Sequence, residues 1–190
     1  MLSIGRIFTP LEITGLGRRP IIWLMAQRAG GTDMADSKAE VLIRTCTVAD
    51  VEQAPNVGEL LDEYAMEVAT EGLGKAVPQW WLYHRMESTG LLHVLGAYSD
   101  DTLVGFITLV VMQRPHYEGL VASYESFFVA SEFRRTGAGT QLLRRAESLA
   151  RSLGALGLFV NAGVGSRLER MLDASPPCRN THRVFFRRLT

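Results

Sequence analysis

The sequence predicts an α/β domain built on a mixed, mostly antiparallel sheet that helices flank. Apolar stretches rich in β-branched and aromatic residues recur over residues 91–129, separated by short turns, as strands require. Patterns with the period of an amphipathic helix lie on both sides of these strands. The 190 residues suffice for one domain with a core, and 47% hydrophobic against 21% charged residues excludes a disordered chain.

The region before the centre of the chain contains one strand, then helices, then a hairpin. Thr47-x-x-Asp50 and Asn56-x-x-Glu59 are typical of helix starts. The turn at 99–102 joins two strands into an antiparallel hairpin. The predicted ranges are a strand over 41–46, helices over 57–68 and 78–88, and strands over 91–98 and 103–113.

Residues 121–153 form the central unit, which reads as a strand, a loop with glycines and a helix. The strand covers 122–129, and the helix runs from about Gly139 to Leu153 with one apolar face. The loop between them contains Arg134, Arg135, Thr136, Gly137, Ala138, Gly139 and Thr140. Glycines permit close backbone approach, the start of a helix offers unpaired N–H groups, and arginines add charge. Together these features predict a pyrophosphate site.

Two common phosphate-binding patterns are absent from this loop. It lacks the G-x-x-x-x-G-K-[ST] run of nucleoside triphosphatases, and Leu142 occupies the third glycine position of a dinucleotide fingerprint. The remaining pattern, Arg134-x-x-Gly137-x-Gly139, resembles the acetyl-CoA loop of the GNAT superfamily of N-acetyltransferases. The preceding residues 125–134, ESFFVASEFR, are similar to the central strand of that family.

The resemblance implies a GNAT-like sheet that splays at its central parallel strand pair, with residues 156–160 as the neighbouring strand. It also implies direct transfer of an acetyl group from acetyl-CoA, as co-substrate, to the primary amine of a small molecule or protein. Backbone groups of Phe127, Phe128 and Val129 would hold the pantetheine arm. The loop from Arg134 to Thr140 would hold the pyrophosphate.

The resemblance identifies the catalytic residues less completely than the residues that would hold acetyl-CoA. Glu125 falls where many relatives carry a glutamate and is the candidate general base. Many relatives have a tyrosine on the helix after the 156–160 strand as general acid, but residues 165–173 contain none. Tyr124, Ser166 or water is therefore left for that role. This departure keeps an alternative open, namely a non-catalytic acetyl-CoA-binding module with an assembly or regulatory function.

The end of the chain is predicted to contain a helix over 167–174, which Ser166 caps, and a closing strand over 181–189. The loop residue His116 is a candidate base or substrate contact, although solvation alone also explains it. Trp80 and Trp81 fall where relatives border the acceptor cleft, with core packing as the alternative. Phe185 and Phe186 fit either a core or an interface, so a homodimer stays an open alternative.

Residues 1–36 are expected to form an arm outside the domain, which we place at 37–190. Translation from Met34 and an interface element over 21–25 are the alternatives for this arm. The 20 basic and 20 acidic residues balance, which argues against nucleic acid held by bulk charge, and no stretch suits a membrane span. Cys46 and Cys178 form no metal-binding spacing and favour a cytoplasmic setting.

Overall fold

The computed structural model describes residues 40–176 and 178–189. Five strands form one sheet in chain order, with β1 to β4 antiparallel and β5 parallel to β4. The mixed, mostly antiparallel sheet predicted from the sequence is thereby confirmed. The strands are β1 (Leu42–Cys46), β2 (Leu92–Ser99), β3 (Thr102–Gln113), β4 (Leu120–Val129) and β5 (Leu158–Phe159).

Helices cover both faces of the sheet, because β2 and β3 are apolar on both sides. The first three helices pack against the cluster that includes Leu92, Phe106 and Phe128. The fourth buries Leu142 and Ala146 in the opposite cluster with Leu95 and Ile107. The helices are α1 (Val48–Glu52), α2 (Val57–Val68), α3 (Trp80–Ser88), α4 (Ala138–Ser152) and α5 (Arg167–Asp173).

The helix starts follow the predicted signals with two exceptions, since α3 begins at Trp80 rather than at residue 78 and Asn56 does not cap α2. Thr47 and Asp50 form a complete capping box at α1, and the Ser166 hydroxyl accepts the Glu169 N–H at α5. Asn56 precedes α2 as predicted but makes no cap hydrogen bond. Its amide instead donates to Leu103 O at 2.8 Å, which ties α2 to β3.

The β2–β3 hairpin confirms the predicted turn. Asp100 and Asp101 occupy its centre with φ of 47° and 66°, the left-handed geometry that matches the twist of paired strands. Further along β3, a Cβ on Gly105 would lie 2.8 Å from Phe128 O. Glycine is therefore needed at position 105, because the backbone of β4 leaves no room for a side chain there.

A β-bulge divides β4 into two halves. Thr108 pairs with Ser126 while Leu109 pairs with Tyr124, so Glu125 is an extra residue without a cross-strand partner. On its other edge, β4 pairs with β5 only at Ala122 and Ser123. Beyond Ser123 the parallel pair separates, which confirms the predicted splay.

The predicted closing strand is wrong. Residues 178–189 form neither strand nor helix, and Val184, Phe185 and Leu189 are 86–90% exposed. Their sequence places Phe185 beside Phe186 rather than alternating, and the nearest edge strand, β5, has two residues and offers almost no ladder to extend.

Two further observations concern the chain as a whole. The arm predicted over 1–36 lies outside the described residues. Among the helices at 40–176, none is long and apolar enough to cross a bilayer.

Candidate active site

The bulge decides which face of the sheet each β4 side chain occupies. Tyr124 and Phe127 both lie in the core cluster on the α4 side. The two intervening residues, Glu125 and Ser126, therefore belong to the opposite side, where Ser126 lines a cavity beneath α1 to α3. The candidate base and the candidate acid, adjacent in sequence, are thus on opposite faces.

Glu125 is exposed and stands near two phenols. Burial raises the pKa of Tyr64 to about 12, with smaller contributions from Tyr83 and the Glu125 carboxylate. Burial also raises the pKa of Tyr83, and Glu125 again contributes. Beside them, the hydroxyls of Thr108 and Ser126 are hydrogen bonded at 2.7 Å inside the protein. A solvent-facing carboxylate next to neutral phenols is suited to receive a proton from an approaching ammonium group.

Tyr124 is 6% exposed and packs on the α4 side, with its ring 6.4 Å from that of Phe127. Burial raises the pKa of the Tyr124 phenol well above its usual range, and Glu147 and Cys178 act in the same direction. Such a phenol is a weak proton donor toward a thiolate, whose conjugate acid has a pKa near 8.5. The surroundings of Tyr124 therefore favour a packing role.

The second half of β4 offers an unpaired edge. Ala130 N donates to Val104 O, so the even-numbered residues at this end direct their backbone groups toward β3. The N–H groups of Phe127 and Val129 face the other edge, where β5 has already ended. Phe128, by contrast, turns its backbone to β3 and its side chain to the α2 side. Among residues 40–176 and 178–189, the N–H groups of Phe127 and Val129 are thus left without a strand partner, while Val129 O accepts from Arg134.

The loop after β4 leads directly into α4. Gly137 is the N-cap with φ of 91° and ψ of 4°, a conformation that a side chain would strain. Ala138 N donates to the Thr136 hydroxyl at 3.2 Å, while the N–H groups of Gly139 and Thr140 belong to the helix turn that has no internal acceptors. These N–H donors lie at the N-terminus of α4, where the dipole of the 15-residue helix places partial positive charge.

Arg134 does not extend freely into this loop. Its Nε donates to Val129 O at 2.8 Å, and its Nη2 lies 2.6 Å from Glu67 Oε1 and 3.5 Å from Glu63 Oε1. Glu63 also accepts the Ser131 N–H at 2.9 Å. We call Arg134, Glu63 and Glu67 the α2–loop clamp. It fixes α2 to the end of β4, whereas Arg135 is exposed.

Arg167 contributes to the same region from α5. Its Nη2 donates to Arg134 O at 3.2 Å, which brings another guanidinium beside the loop. Sequence reasoning missed this residue, because α5 lies 33 residues further along the chain and its contact depends on tertiary packing. The candidate site therefore combines β4, the start of α4, and flanking groups from α2 and α5.

Comparison with known proteins gives a consistent picture. Residues 54–170 match the Acetyltransferase (GNAT) family. An aminoglycoside acetyltransferase from an uncultured soil metagenomic sample, crystallised with trehalose, is similar with a TM-score of 0.63 and 18% identity, over 77% of this chain and 94% of that one. A comparison with curated protein sequences finds no match.

Two further solved structures share the fold. The ribosomal-protein-alanine N-acetyltransferase of Brucella melitensis biovar Abortus has a TM-score of 0.60 and 18% identity, over 77% of this chain and 98% of that one. The glucosamine-6-phosphate N-acetyltransferase of Arabidopsis thaliana has a TM-score of 0.57 and 14% identity, over 78% and 99%. The family match covers more than half of the sequence, and the bulged, splayed sheet agrees with it; the chain belongs to the GNAT family of acetyltransferases.

Proposed function

We propose that this protein is an acetyl-CoA-dependent N-acetyltransferase that acetylates a primary amine by direct transfer. The observation that carries the proposal is the continuity between the free edge of β4 and the first turn of α4. A thiol-bearing arm with a pyrophosphate at its other end needs such a pair of sites in this order. The relatives named above act on amines as well.

The described residues fit the co-substrate. The open edge at Phe127 and Val129 would hold the pantetheine arm, with the Val129 N–H bonded to a pantetheine amide. Gly137, Gly139 and Thr140 would place N–H donors against the pyrophosphate, and Arg135 would add charge from solvent. Arg134 would act by holding the loop through the α2–loop clamp.

Acetyl-CoA supplies an activated thioester carbonyl, and the chain supplies proton handling and charge stabilisation. An alkylammonium with a pKa near 10.4 must lose a proton before it can attack, and Glu125 would accept that proton, directly or through water. The Phe127 N–H, which lies closer to Glu125 than that of Val129, would stabilise negative charge on the carbonyl oxygen. Because a thiolate leaves readily at a pKa near 8.5, Tyr124 need not act as general acid.

The first experiment is calorimetric titration of the wild type with acetyl-CoA. We expect saturable binding that Gly137→Glu weakens about 100-fold, because strain and like charge remove two charge-assisted hydrogen bonds. Gly90→Glu is the matched control, since Gly90 also has positive φ, of 73°, but lies at the opposite end of the sheet. Absence of wild-type binding, or equal loss in both variants, would overturn the proposal.

A non-catalytic acetyl-CoA-binding module is the second candidate. It is favoured by two observations: α5 carries no tyrosine, and the Tyr124 phenol is buried away from Glu125. Release of free thiol in the presence of amines separates the two functions. The assay is best run on Cys178→Ser, because Cys178 is exposed while burial raises the pKa of Cys46 to about 11 and keeps that thiol unreactive.

A further inference from the structure

The outer edge of the sheet at β1 is open among the described residues. In the order of the five strands β1 comes first, and it pairs only with β2. No other backbone hydrogen bond joins residues 42–46 to the rest of 40–176 or to 178–189. An antiparallel strand directs alternate N–H and C=O groups away from its partner, so β1 presents a row of donors and acceptors to a further strand.

A groove follows this edge on the side of the sheet that α4 covers. Its volume is about 410 Å³, which falls within the range of ligand sites. Its lining residues are Val41, Leu42 and Ile43 on the β1 side and Gln141, Arg144, Arg145 and Ser148 on the α4 side. The α4 residues recur at steps of three or four and are exposed, so they form one polar stripe along the helix.

Arg144 and Arg145 make this groove positively charged. Both side chains are exposed, and neither forms an ion pair with an acidic side chain of the described residues. Glu147, the one acidic residue of α4, is not among the lining residues. Guanidinium groups bind carboxylates through paired N–H donors. The groove is therefore suited to an acidic ligand.

The two faces of β1 indicate which sequence would fit beside it. Val41 and Ile43 pack with the core cluster on the α4 side. Leu42 points to the other face by strand alternation and is 61% exposed. A strand added beside β1 alternates in the same way, so its side chains on one face would meet the two arginines and those on the other would cover Leu42. Acidic residues alternating with apolar ones satisfy both faces.

A second copy of this chain fits the edge less well. Antiparallel pairing of β1 with itself would relate the two copies by a twofold axis and place both α4 helices on the same face of the joined sheet. Arg144 and Arg145 of one copy would then approach those of the other, and like charges in such positions are destabilising. The charge of the groove thus favours a different, acidic partner.

We propose that β1 and α4 form a docking site for an acidic, extended segment of another protein, which adds to the sheet beside β1 and places its carboxylates against Arg144 and Arg145. Main-chain hydrogen bonds would supply the affinity, and the arginines would supply the preference for acidic sequences. The site is three strands away from β4, about 14 Å at the usual strand spacing, so it does not depend on the proposed acetyl transfer.

The first test measures fluorescence anisotropy of a labelled, end-blocked Glu-Val-Glu-Val-Glu peptide with the full chain. We expect saturable binding that Arg144→Glu and Arg145→Glu each weaken about tenfold, because charge reversal replaces an attraction by a repulsion. Arg85→Glu is the matched control with unchanged affinity, since Arg85 is also exposed but belongs to α3 on the other face. Absence of binding, or an equal loss in the Arg85 variant, would overturn the proposal.

Backbone methylation of the peptide tests the strand pairing itself. One peptide carries N-methyl groups on its glutamates and another carries them on its valines, so the charges stay the same. Only one of the two sets of N–H groups can face β1, and we expect one peptide to lose binding at least about tenfold while the other keeps it. Equal affinity of the two methylated peptides would contradict pairing at this edge. A single-stranded oligonucleotide that binds more tightly than the peptide would overturn the choice of a protein partner.

Discussion

Glu125 sits at the position of β4 that the bulge leaves without a cross-strand partner. At this position a side chain can turn toward the acceptor side without disturbing the ladder, and bulges next to active sites commonly re-aim a side chain in this way. The carboxylate is exposed, so water can relay a proton to it. Its proposed role as base therefore follows from backbone geometry as much as from its chemistry.

Replacing Glu125 by glutamine tests this role. We expect kcat to fall by about 100-fold or more because the amide cannot accept the ammonium proton, while the Kd for acetyl-CoA stays unchanged. Steady-state thiol release and calorimetry measure the two quantities. Glu118→Gln, an exposed loop carboxylate, is the control with full activity expected. An unchanged kcat in Glu125→Gln would assign the carboxylate to surface solvation.

The sequence predicts some features of β4 but not its bulge. The strand carrying Tyr124 and Glu125 was predictable from its composition, and so was the glycine needed at 137. The bulge was not, because the apolar and polar residues of β4 give no sign of an inserted position. Strand alternation alone places Tyr124 and Glu125 on opposite faces, whereas the bulge puts Ser126 on the same side as Glu125 and returns Phe127 to the side of Tyr124.

At the scale of elements, the α2–loop clamp joins α2 to the end of β4 and to the loop that we propose to bind the cofactor. Arg134 binds both the end of β4 and two carboxylates of α2, and its guanidinium also lies 5.4 Å from the Phe128 ring. Because the Arg134–Glu67 ion pair is partly exposed, solvent weakens its Coulombic contribution to stability. Its main effect is geometric, because it orders the loop to which we propose that acetyl-CoA binds.

Arg134→Met distinguishes ordering of the loop from direct phosphate contact. We expect kcat/KM to fall about tenfold for both acetyl-CoA and S-acetylpantetheine, which lacks the pyrophosphate, because a loosened loop affects either donor. Glu67→Gln should reproduce this pattern.

Arg135→Met is the control for that experiment, because exposed Arg135 would lose activity with acetyl-CoA only. A loss confined to acetyl-CoA in Arg134→Met would show that Arg134 contacts phosphate instead. Sequence reasoning identified the loop and its arginines from local spacing. The different proposed roles of Arg134 and Arg135 depend on contacts with α2, about 70 residues away. They were therefore not predictable from the loop.

On the scale of the whole molecule, residues 178–189 contact the sheet without pairing with any of its strands. Their apolar side chains are mostly exposed, and the contacts of this segment are sparse: His182 meets the Phe159 ring edge-on at 6.2 Å, and Arg188 and Phe186 approach Gly72. Composition predicted a strand here because Val184, Phe185 and Phe186 have high strand propensity. A segment with high strand propensity forms a strand only when it can pair with the edge of another strand.

A chain ending at Asn180 tests this description. We expect its Tm to lie within about 2 °C of the full-length value, since removing exposed groups changes stability by a few tenths of a kcal/mol. Differential scanning calorimetry measures the shift. A decrease of more than about 5 °C would mean that the segment packs against the domain in solution.

The bulge has a consequence for how this protein can change over generations. The residues that we propose to bind the cofactor lie on the free edge of β4 and at the start of α4, whereas Glu125 faces the side that α1 to α3 cover. Under the proposed function, substitutions in the first three helices would therefore exchange one amine for another while the acetyl donor is kept. The α2–loop clamp marks the boundary of that freedom, because a change at Glu67 alters both halves at once.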